Sequence, residues 1–580
     1  MMKKKLFLAS IVAIAMMIGC KKGSVLDQVK TNDQNESTTF ADSARTMQFL
    51  TRIYTDIGFS ADPRRFGASV GIYSIGDETE SNLTAGTAFN IIFQTGGISA
   101  INIPTDAWFT TYANIRRVNL LLRNIASTPL STPLQKRVAG EARFLRAWYY
   151  FILLKHYAGI PLIGDAVYEA TDPISGKRNT YEACVNYISS ECDAAAALLP
   201  KAYVGLDYGR VTQGSALGLK SRLLLYAASP LFNGRSDNMD GVLGYPTADV
   251  ARWTKAAQAA KAVIDLNQYQ LYDLPLDPKP GYGFQKVFTL RKNPEYMLAL
   301  MMAPNRSLES IWDPASRSGS ASAWPYQELV DAFTTIKGLP ITTDIKSPSN
   351  PTGYDAANPY ANRDPRFNWT ILPNEGMRLN ATKTISPVYT YVGAAQDGYG
   401  TTSTTKTGYY LRKMLDDNTI NNTSSATTER CFPLMRYAEI LLNYAEASNE
   451  AGDVVTAYEQ LKLIRKRAGI LPGVEDNYGL PDGLTLIPMR TIIQNERRVE
   501  LAIEEHRYWD VRRWKIAETV SNQTLHGMKV TKVGTGTPAT YTYDLINVRT
   551  PVFTAPKWYL WPIPQGEVNK SVDLLQNPGW

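Results

Sequence analysis

The residues from Glu141 to Ile163, EARFLRAWYYFILLKHYAGIPLI, constrain the fold more than any other stretch. Between Phe144 and Leu154 only Arg146 is charged, so a helix here is apolar on nearly every side. A surface helix shows one apolar stripe, whereas a helix that is apolar all round must be covered by neighbours. Crossing a bilayer takes roughly 20 such residues, and this run is shorter. Lys155 and His156 fall in the last turn, Gly159 can adopt φ > 0, and Pro161 blocks continuation, which together mark a C-terminus. The expectation is a central helix packed before and behind in a helical stack, starting near Thr132-Pro133. Trp148, Tyr149 and Tyr150 then belong to the core, and His156 reads as a helix-end cation.

The chain of 580 residues exceeds what one core of ordinary size holds, which predicts two or more subdomains. Its start reads as a targeting segment. Lys3, Lys4 and Lys5 are followed by an apolar run from Leu6 to Ile18, closing on Met17-Ile18-Gly19-Cys20. That ending resembles a bacterial lipobox. It implies a signal peptide over 1–19, diacylglycerol on the Cys20 sulfur and acylation of the Cys20 amine; several acyl chains anchor stably where one is marginal. An ordinary signal peptide or a transmembrane anchor are the alternatives, and the short apolar span with Cys20 at the cleavage point favours lipidation. Loss of the three lysines lowers the formal net charge from +7 to +4, too small an excess to call for nucleic acid. Residues 21–39 are polar and aperiodic, a flexible tether.

Beyond the tether, helical spacing recurs at Phe40–Phe59, Trp108–Ile125, Thr180–Leu199, Thr212–Leu231 and Asp249–Asn267. It returns at Phe432–Ala468, where a Gly452-Asp453 turn separates two helices in the manner of a tetratricopeptide hairpin. Cys184 and Cys192 are eight apart on a helix, about 12 Å at its usual rise and beyond disulfide reach. With Cys431 they read as buried free thiols. Between Asn267 and Cys431 the chain turns rich in Gly, Pro, Ser, Thr and Asn, with short β-like runs at Tyr296–Met302 and Val388–Val392. Aromatic residues throughout this region argue against disorder and for a binding surface on a rigid support.

Five stretches in order carry a family resemblance: the central EARFLRAWYYFILLKHYAGIPLI, PYQELVDAF at 325–333, RYAEILLNYAEASNEAG at 436–452, NERRVELAIEEHRYWDVRRW at 495–514, and YLWPIPQGEVNKSVDLLQNPGW at 559–580. Together with the lipobox they resemble the SusD/RagB-like outer-membrane lipoproteins of Bacteroidetes along essentially the whole chain. The resemblance implies a mainly α fold, a tetratricopeptide-like helix-pair scaffold with a large irregular, loop-rich C-terminal part containing short strands. The expected organisation is an N-terminal helical region over 40–270 and a C-terminal region over 271–580. The latter is irregular over 271–431, helical over 432–517 and a tail over 518–580. The implied role is non-catalytic binding of oligosaccharide or polysaccharide at the cell surface and delivery to a SusC-like TonB-dependent barrel. Lys21-Lys22 depart from the acidic residues that often follow the anchor cysteine in surface-exported lipoproteins of this phylum, so outward orientation rests on the implied barrel partner.

The residues also speak without the family. Arg490–Lys515 is the most charged stretch and reads as one helix whose opposite charges pair at i, i+3 and i+4, with Trp509 and Trp514 packed on the scaffold. Glu505-His506, or His506 with Asp510, could act as acid–base pairs, but H-E-x-x-H, G-x-S-x-G and P-loop patterns are absent. No cofactor is called for, and a structural calcium is left open. Sugar recognition needs flat ring faces for C–H groups and amides, carboxylates or guanidinium groups for hydroxyls. Pro304–Tyr326 offers Trp312, Asp313, Arg317, Trp324 and Tyr326. Asp77–Phe93 offers Asp77, Glu78, Asn82, Phe89 and Asn90 for the same rim. The competing reading is that these aromatics close gaps beneath a loop, as most do. Two other functions stay open: a lipid-anchored glycan hydrolase, and a helical scaffold that grips a peptide or another nutrient.

Overall fold

The structure is a computed structural model that describes residues 35–67, 70–169, 171–273, 279–341, 352–400, 404–418 and 429–580. The targeting segment, Cys20 and most of the tether lie outside the described residues. Residues 36–39, read as tether, instead form the helix Glu36–Phe40, because Asn35 closes a capping box on Thr38. Arg123 on a later helix then pairs with Glu36 at 2.6 Å.

Among the described residues the architecture is carried by the helices α1 (Ser43–Tyr54), α2 (Asp106–Asn124), α3 (Thr132–Tyr157), α4 (Tyr181–Leu198), α5 (Gln213–Ala228), α6 (Ala251–Asp265), α7 (Tyr437–Glu450), α8 (Val454–Ala468), α9 (Leu486–Glu500) and α10 (His506–Arg513). Each of α2 to α7 packs on the next, and α7 also packs on α8 and α9. The stack therefore closes across the irregular region, with α6 meeting α7 although some 170 residues separate them in the chain. Among the described residues no helix is long and apolar enough to cross a membrane.

The helix α3 is the centre of that stack. Every residue from Phe144 to Tyr157 is buried, including Arg146, Lys155 and His156. Full burial of a large apolar side chain contributes roughly 1.5–3 kcal/mol, so this one helix anchors the whole layer. Arg146 escapes the cost of a lone buried charge through Glu191 at 2.8 Å and Asp165 at 2.6 Å. The helix end differs from expectation in two ways. Ala158, not Gly159, takes positive φ (64°), while Gly159 is required by space: a Cβ there would meet the Asn179 carbonyl at 2.2 Å. His156 is no cation, since burial and the nearby Arg65 and Lys155 push it well below the usual histidine range. Arg65 can only donate, so at 3.1 Å the His156 Nε2 accepts, and Nδ1–H donates to the Ile152 carbonyl at 2.7 Å.

Small antiparallel two-stranded sheets serve as clasps: β1 (Thr79–Ser81) with β3 (Ala323–Pro325), β2 (Tyr296–Met302) with β8 (Arg430–Arg436), β4 (Ile371–Leu372) with β7 (Tyr410–Leu411), β5 (Gly376–Leu379) with β6 (Ile385–Val388), and β9 (Leu525–Val533) with β10 (Thr540–Arg549). Cys184, Cys192 and Cys431 are buried free thiols, in line with the sequence reading.

The charged stretch 490–515 is two helices, not one. Between α9 and α10 the backbone turns with Ile503 at φ 64° and Glu505 at φ 69°. Most of its charges are buried and pair with other elements rather than along their own helix. Glu500 accepts from Arg366 (2.8 Å), Arg436 (2.7 Å) and Arg467, and Glu504 accepts from Arg436 (2.7 Å) and Lys413 (2.8 Å). Burial alone would raise Glu500, but the three guanidinium groups outweigh it and hold the carboxyl well below the usual carboxylate range. This network rivets the helical stack to the irregular region.

Candidate functional site

The aromatic and charged residues expected on a rim lie mainly inside. Trp312 and Trp324 are 0% and 1% exposed. Trp312 donates to the Tyr73 hydroxyl at 3.1 Å and meets that ring edge-on. Trp324 sits in a small core with Leu372, Val388 and Tyr410. Tyr326 is buried, donates to Glu80 at 2.9 Å and accepts from Gln94 at 3.3 Å. Asp313 and Arg378 form a buried two-point pair at 2.8 and 3.0 Å, and burial still raises Asp313 to about 6. Arg317 donates to Ser386, and Asp77 receives Arg507 at 2.7 Å. Glu78 accepts the Ile503 amide at 2.8 Å, and the buried Asn90 donates to the Leu83 carbonyl. Only Asn82 and Phe89 keep partial exposure.

The two stretches do meet, as the sequence suggests, but through β1–β3 pairing, with Thr79 opposite Pro325 and Glu80 opposite Trp324. Pro304–Tyr326 is thereby drawn beneath its neighbours, and its rings fill the space. These residues offer no open ring face to a ligand.

An open surface lies elsewhere in the irregular region. A cavity of about 580 Å³ is walled mainly by side chains from the 360–379 segment, completed by Lys279, Pro280, Ile336, Ile385, Arg412 and Asp417. The short helix Pro365–Thr370 forms its floor, begun by Asp364 capping the Arg366 amide with Pro365 in the first turn. Arg366 reaches down to Asp364, Glu496 and Glu500, which locks this floor to the buried network. Trp369 donates to the Pro280 carbonyl at 3.2 Å, and Arg412 lies 4.7 Å over its ring. Arg412 also donates to Asp417 at 3.1 Å. Asn362 and Glu375, both exposed lining residues, adopt φ of 54° and 63°. An asparagine adopts this left-handed conformation readily, whereas at Glu375 it costs on the order of 1–3 kcal/mol.

Beside the cavity runs a ridge of tyrosines. Glu375, on the cavity wall, accepts from Tyr541 at 2.8 Å. The ring centroid of Tyr541 is 5.9 Å from that of Tyr391, which is 5.7 Å from Tyr389. Tyr389 is 41% exposed, and Lys532 stands 5.7 Å over Tyr391. Partial burial and the Glu375 bond push the Tyr541 hydroxyl up to about 12, so it stays a neutral donor. The signal for this ridge was present as Tyr389-x-Tyr391 and Tyr541-x-Tyr543, since a spacing of two places side chains on one face of extended chain. The cavity and ridge together present ring faces, exposed amides of Asn362 and Asn368, a guanidinium group and carboxylates. Among the described residues no group of three or more His, Cys, Asp or Glu side chains is arranged to hold a metal ion.

Comparison with known proteins agrees with this architecture. The sequence model of the SusD family matches residues 284–580, and a second, described as starch-binding associating with outer membrane, matches 74–225. The chain belongs to the SusD family. It is 26% identical to SusD-like protein P2 of Formosa agariphila over 484 residues, 82% of this chain and 80% of that one. A SusD-like protein of Bacteroides fragilis superposes with a TM-score of 0.75 at 25% identity, covering 94% of this chain and 98% of its own. A laminarin-binding SusD-like protein shares the fold at 20% identity and a TM-score of 0.63, covering 93% and 100%.

Proposed function

We propose that this protein binds glycan chains without cleaving them, at the cavity and tyrosine ridge. One observation carries the reading: a roomy cavity lined with amides, Arg412 and Glu375 is joined through the Glu375–Tyr541 hydrogen bond to the three-ring ridge of Tyr541, Tyr391 and Tyr389. Rings supply flat apolar faces for the C–H sides of sugars, and the polar walls supply donors and acceptors for hydroxyls. Relatives that bind laminarin or are surface glycan-binding proteins support the ligand class. The finer reading adds lipid anchoring at Cys20 on the outer membrane, facing outward, and delivery to a SusC-like TonB-dependent barrel.

Affinity electrophoresis against soluble polysaccharides, including laminarin and starch, tests it. The double variant Tyr391→Ala/Tyr541→Ala is expected to lose roughly fivefold to a hundredfold in affinity, since ring stacking contributes of order 0.5–1.5 kcal/mol per ring. Retention unchanged for every glycan that binds, or release of new reducing ends during prolonged incubation, overturns the proposal. Co-purification of the full-length protein with a large β-barrel tests delivery, and radiolabelled palmitate incorporation lost in Cys20→Ala tests the anchor.

A further inference from the structure

The helical half holds a second opening, of about 160 Å³, far from the residues of the ridge in sequence. Its walls are the 201–212 connection between α4 and α5, the turn at 268–269, and residues 293–301 leading along β2. Tyrosine supplies four of its sixteen lining residues, against 33 in 580 for the whole chain, so its composition is not that of an average crevice. The four rings come from separate places in the chain, at 203, 208, 269 and 296, and the fold alone assembles them.

Three of the four rings, Tyr208, Tyr269 and Tyr296, are held in place by their own hydroxyls. Tyr269 is hydrogen-bonded to Thr212 at 2.8 Å, Tyr296 donates to the Val287 carbonyl at 2.5 Å, and the Asn293 backbone engages Tyr208. Gly214 makes room for Tyr269: a Cβ there would stand 2.3 Å from that ring. A ring fixed by its hydroxyl keeps its apolar face for a ligand and loses little freedom on binding. Lys292 backs Tyr208 at 5.3 Å. At the rim Lys201 and Gln268 are exposed, and the Gln268 amide makes only long bonds, 3.3 and 3.4 Å, to the adjacent Leu266 and Asn267 carbonyls.

We infer that this niche is a second carbohydrate site, sized for one sugar ring, with Tyr208 and Tyr269 as the apolar platform and Gln268 and Lys201 bonding ring hydroxyls. The chemistry is the same as at the ridge, so the ligand class rests on the reading above, while the location is independent of it. Two sites on one molecule let a long glycan, or two strands of it, be held by more than one contact, which raises retention on polymers more than on short oligosaccharides.

Met297 and Met301 line the niche and provide reporters. The full folded protein, labelled with ¹³C-methyl methionine, is titrated with methyl glycosides of glucose, galactose, mannose, xylose and glucuronic acid; Met301→Leu and Met297→Leu assign the signals. The expected result is a saturable shift of the Met301 methyl that persists in Tyr391→Ala/Tyr541→Ala and disappears in Gln268→Ala/Lys201→Ala. Both of the latter residues are exposed, so folding is preserved, and Tyr208→Ala is the stronger second variant. No Met301 response to any of these sugars overturns the inference, whether or not the ridge binds. A response that vanishes with the ridge variant overturns it too, because the shift is then transmitted from the other site. Binding at the ridge alone, with a silent niche, leaves the proposed function standing, so the two readings fail separately.

Discussion

The helix α3 and the segment 495–514 are both buried at the centre of the molecule, yet by opposite means. From Phe144 to Leu154 the first has apolar neighbours on every side and one arginine to satisfy. In the second, Glu496, Arg497, Glu500, Glu504, Arg507, Asp510 and Arg513 are all buried, each facing an opposite charge. Hydrophobic burial is non-directional and tolerates small shifts. A buried ion network instead demands one arrangement, because any charge left unpaired is costly. The apolar helix supplies the mass of the core, and the charged segment sets how the irregular, ligand-facing region is aligned upon it, through Arg366 beneath the cavity floor.

The sharpest way to break that contrast is Glu500→Ala, which takes one carboxylate partner from each of three buried guanidinium groups, Arg366, Arg436 and Arg467, and leaves their excess positive charge to Asp364, Glu496, Glu504 and Glu295. Loss of one partner from a buried pair costs roughly 3–5 kcal/mol, so chemical denaturation should show a collapse in stability. A loss below about 1 kcal/mol would show the network to be dispensable. On the apolar side, Leu153→Ala is expected to cost about 2–5 kcal/mol, with no dependence on pH. A strongly pH-dependent cost there would erase the distinction between the two regions.

Glu78 sharpens the comparison, since its carboxyl joins β1 to the turn after α9. Burial, reinforced by the neighbouring Asp77, raises it from 4.5 to about 7 against the opposing Ile503 bond. The folded protein thus keeps a proton that the unfolded chain has lost. Its stabilising contribution is full below about 4.5 and fades as pH rises through about 7. Glu78→Gln should flatten this decline, which amounts to roughly 3 kcal/mol, in unfolding measured across that window. An unchanged pH profile counts against it. The smallest effect belongs to Trp312→Phe. It removes the hydrogen bond to Tyr73 and should lower stability by about 1 kcal/mol while glycan retention stays intact. Retention falling as it does for Tyr391→Ala would restore Trp312 to the ligand surface.

The residue-by-residue outcome follows the range of the interactions involved. The burial of α3, the hairpin of α7 and α8 and the strand Tyr296–Met302 were legible because each depends on a pattern within one short window. The faces of Trp312, Trp324 and Tyr326 were not. They turn on β3 pairing with β1 nearly 250 residues earlier, and an aromatic-rich loop looks the same whether it lines a rim or is pulled beneath one. The tyrosine ridge hid for the same reason, although its two i, i+2 pairs were visible, because Tyr391 and Tyr541 meet only when β10 folds back across the irregular region.

By itself the amino-acid order determined the family, the helical class and the identity of the central helix, since periodicity and local motifs act over a few turns. Only the tertiary structure decided which rings face water and which charges are buried, and therefore where a sugar could rest. Exposure belongs to the space between distant segments, and no short window of residues contains it.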